Sequence, residues 1–348
     1  MFNPPTNTDL IITPSQCDDA YAWLIKQRKH YPAHADIWFF RRDWVSIRAD
    51  LLYQICTGEY IFSALKRIYK SDGTVINVWS SQDAFVIKLL SFLLADELNL
   101  STSCTHVKGH GGLKHAVSQA NDELKNYHFV CKTDVKGYYE NINQSLLIDQ
   151  IHTQISNKIC RRYCYQIIHR TVEYGGNYLD IQKGISRGCP LSPIFGALYL
   201  KELDDLFSQQ SNVYYVRYMD DILIMTKTRW HNRKAIKQMN QCFNRLKVKQ
   251  HPDKTFIGRL EKGFDFLGYH FSRKPLRLAT ITIRKHVERL RQLYEQQQLT
   301  GLTPLEIASV LGVYVKRWLR WCESGLQGVM LELSYDNLLN REDLIPIR

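Results

Sequence analysis

Two adjacent carboxylates, Asp220 and Asp221, lie between two apolar segments of the chain. Residues 213–216 before them and 222–225 after them carry β-branched, aromatic and other apolar side chains that favour strands. The sequence therefore predicts a β-hairpin with the acidic pair at its turn. Two like charges on a mostly apolar hairpin are costly unless something neutralises them, and a divalent cation is the natural candidate.

A third carboxylate, Asp134, is predicted near the end of another buried strand, at residues 129–135. Carboxylates on neighbouring strands would hold two Mg²⁺ ions that clamp the attacking and leaving oxygens of a phosphoryl transfer. On an ideal strand Asp221 would point away from Asp220, although the turn could bring it near, and we expect Asp221 to be a catalytic carboxylate with a less direct role. The alternative interpretation is an acidic turn on an ordinary α+β domain.

Local signals predict several further elements. A helix over residues 44–56 should end at Gly58, since glycine commonly terminates helices. Residues 63–78 should form a hairpin that turns at Asp72 and Gly73. A longer helix is expected over residues 157–173.

Segments 133–143, 184–193 and 213–226 resemble, in that order, the palm motifs of reverse transcriptases, and the similarity extends over about residues 60–272. The resemblance implies an α+β fold of the right-hand polymerase type, with fingers, a palm built on an antiparallel sheet with helices, and a helical thumb. The expected domains are an N-terminal extension (1–44), fingers with interleaved palm elements (45–125), a catalytic palm (126–272) and a thumb (276–348).

The same resemblance implies an RNA-directed DNA polymerase, a nucleotidyltransferase that adds dNTPs to a primer on an RNA template. Mg²⁺ would be its cofactor as two ions, with Mn²⁺ as a substitute. The metal residues would be Asp134, Val135, Asp220 and Asp221. Lys254 would be a catalytic residue and nucleotide contact, the general acid for the leaving pyrophosphate, although a solvated lysine is the rival interpretation.

Nucleotide contacts are also implied by position. Tyr139 would pack under the incoming sugar and reject a 2′-hydroxyl, with Tyr138 as the alternative for that task. The loop 184–193 departs from the family, because Ser186-Arg187-Gly188 replaces the common Pro-Gln-Gly. Arg187 would bring a cation able to grip a phosphate or base edge, and Gly188 would allow close backbone approach. The effect of this departure on template use stays open.

Other cations are expected on the polymer and the triphosphate. Lys70 lies where fingers cations grip the triphosphate, and Lys108 lies in a Gly/His loop that resembles a template–primer contact. In the thumb, Lys316, Arg317 and Arg320 alternate with Trp318 and Trp321. These tryptophans would anchor the helix in the core while the cations face a duplex.

A net charge of +12 fits a polyanionic partner, but charge alone does not choose between nucleic acid and an acidic membrane surface. Basic and aromatic residues interleave at 38–44 and 314–321, which favours nucleic acid. No apolar run reaches the length of a membrane span, and the N-terminus lacks the pattern of a signal peptide. A cytoplasmic protein with no membrane partner is expected.

The biological role is predicted from finer similarity. Residues 78–90 and 184–204 look closer to the stand-alone bacterial "unknown group" branch, several of whose members act in antiphage defence with a non-coding RNA. Residues 264–269 and 318–322 look like bacterial group II-intron-like enzymes. We expect antiphage defence, with a homo-oligomer or a second reverse transcriptase subunit as possible assemblies. The alternatives are an intron-type mobility enzyme, a template-independent DNA polymerase, and a catalytically vestigial RNA-binding scaffold.

Overall fold

A computed structural model of the protein describes residues 10–70 and 73–326. The described chain combines helices with mainly antiparallel sheets, as an α+β fold requires. Asp72 of the expected hairpin turn, the first nine residues of the expected extension and residues 327–348 of the expected thumb lie outside the described residues. None of the helices in the described ranges is both long and apolar enough to cross a membrane.

The helices of the described residues are, in chain order, α1 (Pro14–Arg28), α2 (Asp36–Thr57), α3 (Ser81–Glu97), α4 (Gly112–Glu123), α5 (Tyr138–Asn141), α6 (Gln144–Gln154), α7 (Lys158–Ile168), α8 (Ser192–Tyr199), α9 (Lys201–Ser208), α10 (Arg229–Arg245), α11 (Thr280–Gln298) and α12 (Pro304–Glu323). The strands are β1 (Leu65–Tyr69), β2 (Val75–Val78), β3 (Phe129–Asp134), β4 (Thr171–Tyr174), β5 (Asn177–Asp180), β6 (Val213–Tyr218), β7 (Asp221–Thr226), β8 (Phe256–Arg259), β9 (Phe264–Phe266), β10 (Tyr269–Phe271) and β11 (Arg277–Leu278).

The chain separates into two compact units, each assembled from three stretches of sequence. The first unit contains residues up to 102, 135–205 and 239–250, and the second contains 103–134, 206–238 and 251 onward. The expected division into extension, fingers, palm and thumb stays a prediction. Its first boundary, between residues 44 and 45, falls inside α2.

The first unit has a four-stranded sheet in the order β2-β1-β4-β5, in which only β1 and β4 are parallel. The expected hairpin is confirmed, because β1 and β2 pair antiparallel. The helical part is held by aromatic packing, with Trp44 of α2 stacked 4.4 Å from Tyr21 of α1 and edge-on to Phe85 of α3. As predicted, α2 ends at Gly58, whose φ of 81° is left-handed.

The helix expected over 157–173 is wrong at its C-terminal end. It ends at Ile168, and residues 171–174 form β4 instead. The β-branched pair Thr171 and Val172 favours extended backbone, and pairing with β1 and β5 satisfies the backbone groups of that strand.

The second unit has an antiparallel sheet in the order β6-β7-β3-β8 and a smaller antiparallel sheet in the order β11-β10-β9. A continuous apolar core joins α4, both sheets and the end of α12. Lys114 of α4 packs at the edge of this core. Its ammonium lies 4.0 Å from the ring centre of Trp321 and 4.9 Å from that of Tyr269, as in cation–π contacts. This core supports the sheet that carries all three predicted carboxylates.

Candidate active site

The predicted acidic hairpin is confirmed as a local structure. Strands β6 and β7 pair antiparallel with Tyr218 opposite Asp221, so Met219 and Asp220 form the turn. Met219 has a φ of 57°, a left-handed conformation that is uncommon for a residue other than glycine. Such a conformation persists only where neighbouring contacts hold it.

Two side chains supply those contacts. The guanidinium of Arg217, fully buried in β6, donates a hydrogen bond of 2.8 Å to the carbonyl of Met219. The N–H of Met219 donates to Nδ1 of His106 at 3.0 Å. Both polar groups of the strained residue are therefore fixed by the fold. Sequence reasoning missed both partners, although a charged residue on an otherwise apolar strand was a usable signal for Arg217.

The three carboxylates converge at one corner of the sheet. Strand β3 pairs antiparallel with β7, and the register places Asp134 directly opposite Asp221. Opposite residues of an antiparallel pair have Cβ atoms about 5 Å apart. Asp220, in the turn, shares a hydrogen bond with the Asp134 side chain. The register thus places Asp221 beside Asp134, although the alternation of side chains along a strand would by itself point it elsewhere.

Burial and charge repulsion perturb the acids. Burial, together with the hydrogen bond and the repulsion from the neighbouring Asp134 carboxyl, raises the pKa of Asp220 to about 7. Burial also raises the pKa of Asp221, while the Lys132 ammonium opposes that shift. The negative charge of Asp134, Asp220 and Asp221 is therefore not fully compensated by the neighbouring residues.

Two lysines lie against the acids. Lys254 donates a hydrogen bond through Nζ to Oδ2 of Asp134, and this bond raises the pKa of the Lys254 ammonium. Lys132 Nζ lies 3.8 Å from Oδ1 of Asp221. Lys132 was missed by sequence reasoning, although it precedes Asp134 by two residues on the same strand and so shares its face.

The donor set fits a divalent cation in its chemistry. Carboxylate oxygens are the ligands that Mg²⁺ prefers, and three carboxylates against two lysines leave a formal excess of negative charge. Among the described residues, the structure contains no group of three or more His, Cys, Asp or Glu side chains with the geometry of a metal site. Val135 has a buried apolar side chain, so only its backbone carbonyl suits a metal.

The two tyrosines predicted to contact the sugar lie in the first unit and have different surroundings. Tyr138 is buried, and its hydroxyl donates to the carbonyl of Gly196 at 2.6 Å. Tyr139 is half-buried and stacks on Tyr138 with ring centres 5.7 Å apart. A Cβ on Gly196 would lie 3.1 Å from the ring of Tyr139 and 3.2 Å from that of Tyr138, so the glycine leaves room for both rings.

Three further predicted nucleotide contacts, Arg187, Gly188 and Lys70, also belong to the first unit, whereas Lys254 belongs to the second. Arg187 is exposed and forms an ion pair of 2.8 Å with Glu140, so its cation is partly neutralised. Gly188 has a φ of 73°, which explains a glycine there without a ligand. Lys70 is exposed at the end of β1, where its backbone N–H bonds to the Thr74 carbonyl.

The predicted nucleic-acid contacts lie in the second unit. Lys108 is exposed in the loop before α4. On α12, Trp318 and Trp321 pack against the apolar core. Lys316, Arg317 and Arg320 are exposed on the same helix. The predicted geometry of this helix, with tryptophans inward and cations outward, is confirmed, and its contact with nucleic acid stays a prediction.

Comparison with known proteins adds an independent observation. A family model for reverse transcriptase (RNA-dependent DNA polymerase) matches residues 84–271, which is more than half of the chain. The matched range contains the acidic hairpin, the strand of Asp134 and Lys254. No curated protein matches the sequence.

Proposed function

The chain belongs to the reverse transcriptase family and is an RNA-directed DNA polymerase, and we propose that it adds deoxynucleotides by a two-metal mechanism. The family implies an RNA template, dNTPs and a DNA product. The observation that carries the mechanism is the convergence of Asp134, Asp220 and Asp221, with burial raising the pKa of Asp220 to about 7. Such a group of like charges, with Asp134 buried and Asp220 and Asp221 partly buried, is characteristic of a site built for cations.

In this proposal Asp134, Asp220, Asp221 and the carbonyl of Val135 would hold two Mg²⁺ ions, with Mn²⁺ as a substitute. When bound, the ions stabilise the charge on the transferring phosphoryl group and on the leaving oxygen. Lys254 is protonated and contacts Asp134, which supports its role as the general acid for pyrophosphate. Lys132 positions Asp221 through their electrostatic contact.

Substrate selection is assigned to the first unit. The buried, hydrogen-bonded state of Tyr138 supports Tyr139 as the residue that rejects a 2′-hydroxyl. Arg187, Gly188 and Lys70 would contact the nucleotide, and Arg187 would exchange Glu140 for a phosphate. Lys108, Lys316, Arg317 and Arg320 would contact the polymer. These assignments assume the arrangement of fingers, palm and thumb that the sequence predicts.

Primer extension tests this proposal. Wild-type protein should extend a DNA primer on an RNA template with Mg²⁺, and Asp134→Asn should reduce the rate by at least about a thousandfold, because electrostatic stabilisation of the transition state is lost. RNA binding should persist in the variant. A wild-type protein that binds RNA but incorporates no nucleotide with Mg²⁺ or Mn²⁺ would support the vestigial scaffold instead.

We further propose that the enzyme acts in antiphage defence with a dedicated non-coding RNA, in the cytoplasm, with a second copy or a second reverse transcriptase as subunit. The resemblance of residues 78–90 and 184–204 to stand-alone bacterial enzymes supports this role. Phage plating on cells with wild-type protein or Asp134→Asn tests it, and only the wild type should protect. Sequencing the co-purified RNA should identify one structured transcript, whereas intron RNA would favour mobility.

A further inference from the structure

A groove of about 680 Å³ lies in the first unit, outside every role assigned above. We call it the basic groove, and it is lined by Ile61, His152, Lys158, Arg161, Arg162, Tyr165 and Gln166. Its lining contains lysine, arginine and histidine but no carboxylate. Among the described residues, neither Lys158 nor Arg162 forms an ion pair. The groove therefore presents cations to solvent.

The cations of the groove are held on a rigid element. Lys158, Arg162 and Tyr165 follow at helical spacing on α7 and share one face. The opposite face is anchored in the core by buried Cys164 and Ile167. Arg161 is fixed differently, because its Nε donates to the carbonyl of Ile155 at 2.5 Å. Lys158 and Arg162 are thus the cations available to a ligand.

Apolar surface lies beside these cations. Tyr165 is 53% exposed and Ile61 is 73% exposed, which is high for large apolar side chains. The ring of His169 lies 4.5 Å from that of Tyr165 and supports it from one side. A free phosphate does not need an apolar wall, and a duplex presents mainly phosphates. A single strand presents unstacked bases together with phosphates.

We propose that the basic groove binds single-stranded nucleic acid, with a base stacked on Tyr165 and the adjoining phosphates at Lys158 and Arg162. Its volume lies within the usual range of about 300–1,000 Å³ for small-ligand pockets, which accommodates a nucleotide. Two polymers share this chemistry in a reverse transcriptase, unpaired RNA and DNA product. The proposal goes beyond the two-metal mechanism and does not use any residue assigned to it.

Photo-crosslinking tests the groove separately from the polymerase site. Short RNA and DNA oligonucleotides of one sequence, each carrying a 4-thio-pyrimidine, should crosslink to the peptide that contains residues 158–166. The oligonucleotide that gives the stronger crosslink, RNA or DNA, identifies the polymer that the groove prefers. Lys158→Gln with Arg162→Gln should reduce this crosslink at least about tenfold. The same double variant should lower the slope of log affinity against log salt concentration by up to about 1.4. Each phosphate contact with a single strand contributes about 0.7 to this slope, and two contacts are removed.

A matched control removes the same charge elsewhere. Lys234 and Lys237 are exposed on α10, and their change to Gln should leave the crosslink at 158–166 unaltered. Extension of a pre-annealed primer–template should stay within about twofold in both double variants. Loss of extension with an unchanged crosslink would count against the proposal, because the groove cations would then serve polymerisation rather than single-strand binding.

The aromatic contact has its own pair of variants. Tyr165→Phe should keep the crosslink, whereas Tyr165→Ala should weaken it about fivefold or more, because stacking is worth about 1–3 kcal/mol per base. Absence of any crosslink at 158–166 would overturn the proposal. Capture by phosphatidylserine vesicles that is lost in the Lys158/Arg162 variant, without an RNA or DNA crosslink, would show a membrane-binding face instead and would overturn it as well.

Discussion

Tyr138 and Tyr139 are adjacent in the chain, yet the fold gives them different surroundings. Tyr138 is buried, and its hydroxyl donates a hydrogen bond to the Gly196 carbonyl, as is usual for a buried tyrosine. Tyr139 keeps part of its ring accessible and uses Tyr138 as a platform. A residue that discriminates between sugars must be accessible to them, which favours Tyr139 over Tyr138 for the proposed role.

Changing Tyr139 to Ala should relax sugar discrimination, because the smaller side chain leaves space for a 2′-hydroxyl. We expect the ratio of deoxynucleotide to ribonucleotide incorporation efficiency to fall at least about tenfold, as measured by steady-state extension. Tyr138→Phe is the matched control. It removes one hydrogen bond, at a cost of about 1 kcal/mol in stability, and should leave the ratio unchanged. A constant ratio in Tyr139→Ala would remove Tyr139 from this role.

At the scale of elements, the acidic hairpin depends on a loop that precedes α4 in sequence. His106 accepts a hydrogen bond from the strained Met219 and packs edge-on to Tyr218, with ring centres 6.0 Å apart. His106 fixes the backbone of the turn next to the carboxylates, so we propose that it is a positioning residue. Its loop ties the turn to the rest of the second unit.

His106→Ala should lower kcat about tenfold with little change in the KM for dNTP, because the turn loses a constraint while the nucleotide contacts remain. Stability should fall by about 1 kcal/mol, since the partly buried N–H of Met219 loses its acceptor. His106→Gln, which offers another acceptor, should recover part of kcat. Equal losses of stability with unchanged kcat would reduce His106 to a purely structural role.

Helices α11 and α12 pack against each other through stacked rings, one of which is the titratable imidazole of His286. His286 of α11 is buried and stacks 3.7 Å from Trp318, and its Nδ1 lies 3.2 Å from the hydroxyl of Tyr314. Burial lowers the pKa of His286 to about 4. The imidazole is therefore neutral in the folded protein at neutral pH.

This shift predicts a dependence of stability on pH. The unfolded histidine has a pKa of about 6.5, so the unfolded state binds more protons between about pH 6.5 and 4. The stabilising contribution should be complete above about pH 6.5 and should decrease as the pH falls towards 4, by about 1–3 kcal/mol in total. Thermal melts of wild type and His286→Phe should diverge over this range. Parallel curves would show that His286 does not titrate there.

At the scale of the whole molecule, a net charge of +12 should make affinity for nucleic acid steeply dependent on salt, because bound phosphates release condensed counterions. Changing Lys316, Arg317 and Arg320 together to Gln should lower the log–log slope by up to about one unit per lost contact. Titrations of a primer–template at several salt concentrations measure this slope. An unaltered slope in a folded variant would show that these cations form only a solvated helix face.

Local patterns in the sequence predicted much of this fold. Two apolar segments rich in β-branched and aromatic residues, with the acidic pair between them, predicted the hairpin, and Gly58 marked the end of α2, because both signals act within a few residues. Lys132, His106 and Arg217 were missed, since their roles depend on strand register and on contacts between distant segments. The helix expected to 173 failed for the same reason, as pairing with β1 decided the conformation of β4.

We propose above that the converging carboxylates Asp134, Asp220 and Asp221 are required for nucleotide transfer. The rate of single-turnover incorporation of one dNTP measures this requirement directly. It is compared between the wild type and the double variant Asp220→Asn with Asp221→Asn. The matched control is the double variant Asp18→Asn with Asp19→Asn, an acidic pair on the exposed face of α1. The first variant should lose at least about a thousandfold in rate while its fold and RNA affinity persist, and the control should keep the wild-type rate. A near-normal rate for the Asp220/Asp221 variant would contradict the account.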